Sequence, residues 1–242
     1  MSYRWNWGII FEQPYLSWLL QGLGVTVALS CLAWAIALPL GTLVGSLRTG
    51  PYRAIRLLCA WYVQAFRNVP LIVQMFLWFF VFPEVVPKAV GFFLKRQLPI
   101  PEFTMGCLCL ALYTSARIAE IIRSGLEAAG NGPRNAALAS GMTYYQAYRY
   151  VLLPMSFRLT MPPLTSEFLA IFKNSSVALT IGVLELTAQS HQVESFTFQG
   201  FEAFTAATVL YALISWACLG IAGAVNRQLS NAGGLGTEVA IK

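Results

Sequence analysis

The chain is written as long apolar runs separated by short polar, basic or proline-rich breaks. The first run covers residues 16–47 and exceeds the roughly 20 residues that carry a helix across a bilayer. It contains Pro39, where a kink is expected, and Gly41 and Gly45, a small-xxx-small spacing that lets two helix backbones approach closely. The second run, 57–82, is interrupted by Arg67, Asn68 and Pro70, and the proline is expected to break or kink the helix. The third, 103–122, holds Arg117 and Glu120 and ends at Arg123. The fourth, 159–181, starts near Pro162 and Pro163, and the fifth covers 201–225. None of the runs alternates steadily, so the pattern favours helices over a membrane barrel. It predicts an all-α membrane protein, with about five transmembrane helices in a single domain over 1–242.

The links between the runs differ in character. Residues 83–102 carry four prolines and read as a loop, and 182–200 read as a polar link or re-entrant segment. The longest interruption is 124–158. Within it, Arg134 to Pro154 contains two helix-like pieces, Ala136 to Ser140 and Tyr144 to Val151, with Gly141 as a hinge. Four tyrosines here (144, 145, 148 and 150) carry rings of the amphipathic kind enriched at interfaces. The plainer alternative is an amphipathic loop lying on the membrane.

Composition agrees. The chain is 57% hydrophobic and 11% charged, against about a quarter charged in soluble domains. Its formal net charge is +6, and the basic residues are spread between apolar runs, which argues against a nucleic-acid surface. Arg48, Arg53, Arg56, Arg123, Arg134, Arg149, Arg158, Arg227 and Lys242 fall on one side of the five-helix scheme. Arg4, Lys88, Lys95 and Arg96 fall on the other. By the positive-inside rule the richer side is cytoplasmic, which gives N-out/C-in and puts the 124–158 loop in the cytoplasm. Residues 1–15 lack the pattern of a signal peptide and read as an aromatic lead-in at headgroup depth, with Trp5 and Trp7. The five cysteines, at 31, 59, 107, 109 and 218, read as small apolar core residues.

Catalysis finds little to work with. There is one histidine, His191, in a polar link, no metal-ligand spacing and no G-x-x-x-x-G-K-S/T loop. No cofactor is expected on this chain, and any ATPase must be another protein. The informative ionisable residues lie inside apolar runs, where charge is costly and faces a bundle interior or a watery cavity. Tyr113, Arg117, Glu120 and Ser124 share one helix face. An Arg117–Glu120 ion pair is the structural reading, with Arg123 also within reach of Glu120. The functional reading is a guanidinium gripping a substrate carboxylate. Lys173, Asn174, Ser175 and Ser176 interrupt the fourth run, either as a snorkelling lysine or as a polar gate along a pathway. Glu167 is read as a partner for a neighbouring helix. Arg67, Asn68 and Pro70 are read either as kink chemistry with an inward-snorkelling arginine or as residues that shape an inner constriction or contact the 124–158 loop. There is no internal repeat, so a two-fold pathway needs a second subunit.

A resemblance gives these residues a context. Asn135, Ala136, Ala137 and Gly141 spell N-A-A-x-x-x-G, and Leu153-Pro154 closes the segment. This resembles the E-A-A-x-x-x-G loop of permease subunits of bacterial ABC importers, with Asn135 in place of the glutamate. The runs 67–74 (RNVPLIVQ), 120–123 (EIIR) and 173–176 (KNSS) are similar to the polar amino-acid branch, nearest to glutamate/aspartate importer permeases. The resemblance implies a type I ABC importer permease fold with cytoplasmic coupling helices. Asn135, Ala136, Ala137, Gly141, Tyr144, Leu153 and Pro154 would then meet an ATPase. It implies as partners a cytoplasmic ABC ATPase dimer that uses ATP and Mg, a second permease subunit, an external solute-binding protein and the bacterial inner membrane. Arg117, Glu120, Lys173, Asn174, Ser175 and Ser176 become the candidate substrate pathway, for glutamate/aspartate or another polar amino acid. A passive channel and a membrane scaffold are the other classes open to such a chain.

Overall fold

The computed structural model describes residues 3–128 and 130–232, and every regular element among them is helical. Helix α1 is Tyr15–Leu47, 33 residues, and it continues through Pro39. At 1.5 Å per residue it is about 50 Å long, more than the hydrocarbon thickness of a bilayer. Helix α2 is Arg53–Asn68, and α3 is Leu71–Phe76, which runs through a π turn into α4, Phe82–Val85. Helix α5 is Lys88–Phe92 and α6 is Pro101–Ala128. Helix α7 is Asn131–Ala139, α8 is Tyr144–Ala147 and α9 is Leu153–Asn174. Helix α10 is Leu186–Thr197 and α11 is Gly200–Ala232.

Among the described residues, three helices are each long and apolar enough to cross a membrane: α1, α6 and the Gly200–Ile221 part of α11. Two bent pairs could bring the number to five. The first is α2 with Leu71–Val85, which turn by 106° at Val69-Pro70. This is a sharp corner, where the sequence suggested one kinked span. Pro70 has no N–H to continue the α2 ladder. The Gln74 side chain donates to the Phe66 and Val69 carbonyls at 2.8 Å each, which satisfies acceptors that the break exposes. The second pair is Arg158–Ile181 with α10, bent by 53°. The 83–102 link is likewise more ordered than its prolines suggested, since it carries α5 and a π turn at Phe93–Gln97.

Helix α6 is the centre: 67% of its apolar window is buried, against 28% for α1 and 17% for α11. The outward faces of α1 (Leu20, Leu32, Leu43) and α11 (Leu213, Trp216, Ile221) stay exposed, as a lipid-facing surface would. Helix α1 buries Thr26, Ser30, Ala33, Ala37, Gly41 and Gly45, a stripe of small residues three or four positions apart. The stripe is what lets α1 lie directly on α6. A Cβ on Gly41 would stand 2.6 Å from Ile118 Cβ, and one on Gly45 would stand 2.5 Å from the Ala119 carbonyl oxygen. The main core joins Leu29 and Ala33 of α1, Met75 of α3, Leu110 of α6 and Ile171 of α9.

Two local readings change. Residues 182–200 form α10, capped by Glu185, which is fully buried and accepts from the Thr187 and Ala188 N–H groups. Tyr211 also donates to Glu185, at 2.6 Å, so this stretch is built into the bundle. Of the cysteines, 107, 109 and 218 are buried as expected, but Cys31 is exposed and Cys59 is half-buried. On the outward face of α1 a small apolar side chain suits lipid as well as core, so polarity alone did not separate the two.

Candidate functional site

The 124–158 segment folds as a helical hairpin. Its first helix, α7, starts at Asn131, earlier than Ala136, and ends at Ala139. The turn is closed by two bonds: Gly141 N–H donates to the Leu138 carbonyl at 3.0 Å, and Met142 N–H to the Ala137 carbonyl at 3.2 Å. This paired pattern needs a left-handed residue after the helix, and Gly141 supplies it with φ of 84°. Thr143 then opens α8 with a reciprocal capping box. Gln146 N–H donates to Thr143 Oγ1 at 3.3 Å, and Thr143 N–H to Gln146 Oε1 at 2.8 Å. The sequence signal T-Y-Y-Q was present and was missed. Helix α8 passes through a π turn, Tyr148–Leu152, straight into α9, so no loop separates it from the next helix. Pro154 follows the π turn in the first turn of α9, where its missing N–H takes one donor out of the continuing helix.

The hairpin faces outward on one side and is tied down on the other. Asn135, Ala136, Met142, Tyr144, Tyr145 and Pro154 are exposed, while Ala137 is buried and Leu153 is half-buried. The tie is Tyr148. Its hydroxyl donates to the Ser46 carbonyl at 3.0 Å and bonds the Thr49 hydroxyl, both at the end of α1. Burial raises the Tyr148 phenol above its usual pKa, so it stays neutral. Tyr144 stacks against it, with ring centroids 6.2 Å apart.

Beneath the hairpin, Glu120 of α6 gathers three arginines. Arg48 from the end of α1 lies at 2.5 Å, Arg123 at 2.5 Å and Arg67 from the end of α2 at 3.2 Å. Arg123 also reaches Glu127 at 2.5 Å. Arg67 thus belongs to an ion-pair cluster as well as to the break at Pro70.

Arg117, one turn away on α6, does not pair with Glu120. Its Nε and Nη2 donate to the two oxygens of Glu167 on α9, at 2.8 and 2.7 Å. This bidentate geometry is the strong form of the interaction. The guanidinium also lies 5.9 Å from the Tyr113 ring centre. The Glu167 side chain is 12% exposed and that of Arg117 is 42% exposed, so the pair presents its cationic side.

Lys173 and Asn174 close α9, and Ser175 begins a 3-10 turn, Ser175–Ile181. Ser175 is buried and donates to the Phe172 carbonyl, while Ser176 donates to the Lys173 carbonyl, each at 2.7 Å. Both serines thus shape the helix end through their own backbone. Lys173 is exposed and Asn174 and Ser176 are half-buried, so these three offer polar groups outward. The structure gathers the hairpin residues, but leaves Arg117, Glu120 and the Lys173 group as three separate places. No group of three or more His, Cys, Asp or Glu side chains fit to hold a metal occurs among the described residues.

Comparison with known proteins fits this architecture. Residues 37–231 match the family described as binding-protein-dependent transport system inner membrane component. The chain is 43% identical over 244 residues to the glutamate/aspartate import permease protein GltJ of Escherichia coli K12, which covers 98% of this chain and 99% of that one. It is 31% identical over 210 residues to the probable glutamine ABC transporter permease protein GlnM of Bacillus subtilis, covering 87% and 91%. The crystal structure of an amino acid ABC transporter with histidines superposes with a TM-score of 0.77 at 28% identity, over 94% of this chain and all of that one. The inward-facing MetNI methionine ABC transporter shares the fold, with a TM-score of 0.66 at 21% identity over 90% and 99%. The chain is a multi-pass membrane protein and belongs to the family of binding-protein-dependent transport system inner membrane components.

Proposed function

We propose that this chain is the permease subunit of an ATP-driven, binding-protein-dependent amino-acid importer, with glutamate and aspartate as its cargo. The observation that carries the reading is the α7–α8 hairpin, open on its outer face and bonded to the end of α1 through Tyr148. In a chain of this family such a surface suits a motor protein. The basic excess around it supports a cytoplasmic location and an N-out/C-in topology in a bacterial inner membrane. The proposed partners are a cytoplasmic ABC ATPase dimer, a second permease subunit and an external solute-binding protein. This chain binds no nucleotide, and ATP and Mg are used by the motor.

Closure of the motor on ATP would draw the hairpins of two permease subunits together. The membrane cavity between them would change sides because each nucleotide state binds one conformation more tightly. Arg117 would take the acidic cargo. Glu167 occupies its Nε and one Nη2 bond, and the remaining N–H groups are available to a carboxylate. Lys173, Asn174 and Ser176 would line the same pathway, and Glu120 would hold its inner end in place.

Uptake of labelled glutamate into liposomes tests this, with the chain reconstituted beside its ATPase and a solute-binding protein outside. Uptake should require ATP. Gly141→Asp strains the left-handed turn by about 1–2 kcal/mol but its Cβ meets nothing within 4 Å, so it should still insert, and it should abolish transport. Uptake that ignored ATP would indicate a channel. Normal uptake by Gly141→Asp would reduce the hairpin to a surface loop.

A further inference from the structure

The Tyr144–Tyr148 pair is a wall with two different spaces beside it. On one side is a cavity of about 430 Å³ bordered by Arg48, Arg56, Arg134, Thr49, Glu127 and Gly130 as well as both tyrosines. Its charge is unbalanced. Arg48 is taken by Glu120, and Glu127 is taken by Arg123. Arg56 makes only a bond to the Gly50 carbonyl, at 3.0 Å, and Arg134 has no carboxylate partner among the described residues. Two guanidinium groups therefore face the cavity without a counter-charge.

On the other side of the wall is a groove of about 690 Å³, bordered by Leu43, Leu47, Pro51, Tyr52, Ile55 and Tyr145. It is apolar and starts from the last turns of α1, at the edge of the first membrane helix. Both spaces thus open beside the end of a membrane-spanning helix, and tyrosine is the residue favoured where headgroups meet acyl chains. An anion alone would use only the cavity. An apolar partner helix would leave the arginines unpaired.

We propose that this corner is a binding site for one anionic phospholipid, with its phosphate between Arg56 and Arg134 and an acyl chain in the Leu43–Ile55 groove. The lipid would brace the hairpin against the α1–α2 corner from the membrane side. The proposal rests on the cytoplasmic placement of the hairpin, but not on which solute is carried. It reads out in binding, so a chain that transports nothing can still bear it out.

The test is native mass spectrometry of the detergent-purified chain with its co-expressed ATPase, titrated with phosphatidylglycerol or phosphatidylcholine. Phosphatidylglycerol should be retained preferentially. The double variant Arg56→Gln/Arg134→Gln should lower that preference about thirtyfold, the Boltzmann factor for two arginines at an anionic surface. The charge-matched control Arg149→Gln/Arg158→Gln should leave it unchanged. An equal fall in both variants would mean general surface charge and would overturn the site. Inorganic phosphate that displaced the lipid at comparable concentration would identify a free-anion site, which also overturns it. Phosphatidylglycerol with short acyl chains should bind more weakly, and equal binding would rule out the groove. A preference that vanished whenever the ATPase was attached would assign the surface to the motor.

Discussion

Arg117 and Glu120 are three residues apart on α6, within reach of each other, and the structure gives them different partners. Arg117 meets one carboxylate from α9 in a bidentate pair, half open to its surroundings. Glu120 meets three guanidinium groups, from α1, α2 and its own helix. The first site is balanced, one guanidinium to one carboxylate, with the guanidinium partly exposed. The second carries an excess of positive charge and stitches three helices together. A local i,i+3 pair is worth only a few tenths of a kcal/mol, so partners that tie separate helices take both residues away from it. One helix turn thereby separates a paired arginine from a carboxylate that ties three helices.

Five substitutions, in four experiments, would break or sharpen this contrast. The largest effect is expected for Gly45→Leu, which drives a side chain into the Ala119 carbonyl and forces α1 off α6. It should cost about 3 kcal/mol or more and remove Arg48 from Glu120, seen as loss of the monodisperse species in size-exclusion chromatography. Glu120→Ala leaves three arginines facing one another and should cost about 3 kcal/mol, read as a lowered thermal midpoint in detergent. A milder result than that for Glu167→Ala would reverse the assignment of bracing and binding roles. In the Arg117→Ala, Glu167→Ala and double-variant cycle, the double variant should be more stable than the sum of the singles by about 1–2 kcal/mol. Glutamate uptake should fall in both variants that lack Arg117. The smallest effect is expected for Gly141→Ala, about 1 kcal/mol for a left-handed alanine, with normal insertion and slowed ATP-dependent uptake.

The helices could be read from the sequence far better than their partners. Apolar runs located α1 at both ends and the starts of α6 and α11, but stopped well short of the polar last turns of α6 and α11, and Gly41/Gly45 announced a close helix contact. Pro70 announced a break, but not its 106° angle, which depends on where α3 finds its core and on Gln74 reaching back to two carbonyls. Helix α10 was hidden because its residues are polar enough to pass for a link. What makes it a helix is Glu185, bonded to two backbone amides and to Tyr211, which lies 26 residues on. The hairpin was legible as two pieces around Gly141, since left-handed turns select glycine. Its bonds to α1 were not, because the Tyr148–Ser46 contact joins residues 102 positions apart. Pairings of that kind depend on the packed arrangement, and spacing along the chain carries no trace of them.

The Tyr148 bond has a mechanical consequence. The hairpin is gripped at the foot of α1, and α1 meets α6 along glycines pressed directly against Ile118, Ala119 and Ile122. Such a seam transmits load and leaves no clearance for sliding. A displacement applied at Tyr144 would therefore swing α1 and α6 together as one lever. The give in the molecule must lie at its weaker joints, the Val69-Pro70 corner and the 3-10 turn at Ser175–Ile181. Those joints, and not the hairpin, would set how far the stroke can travel.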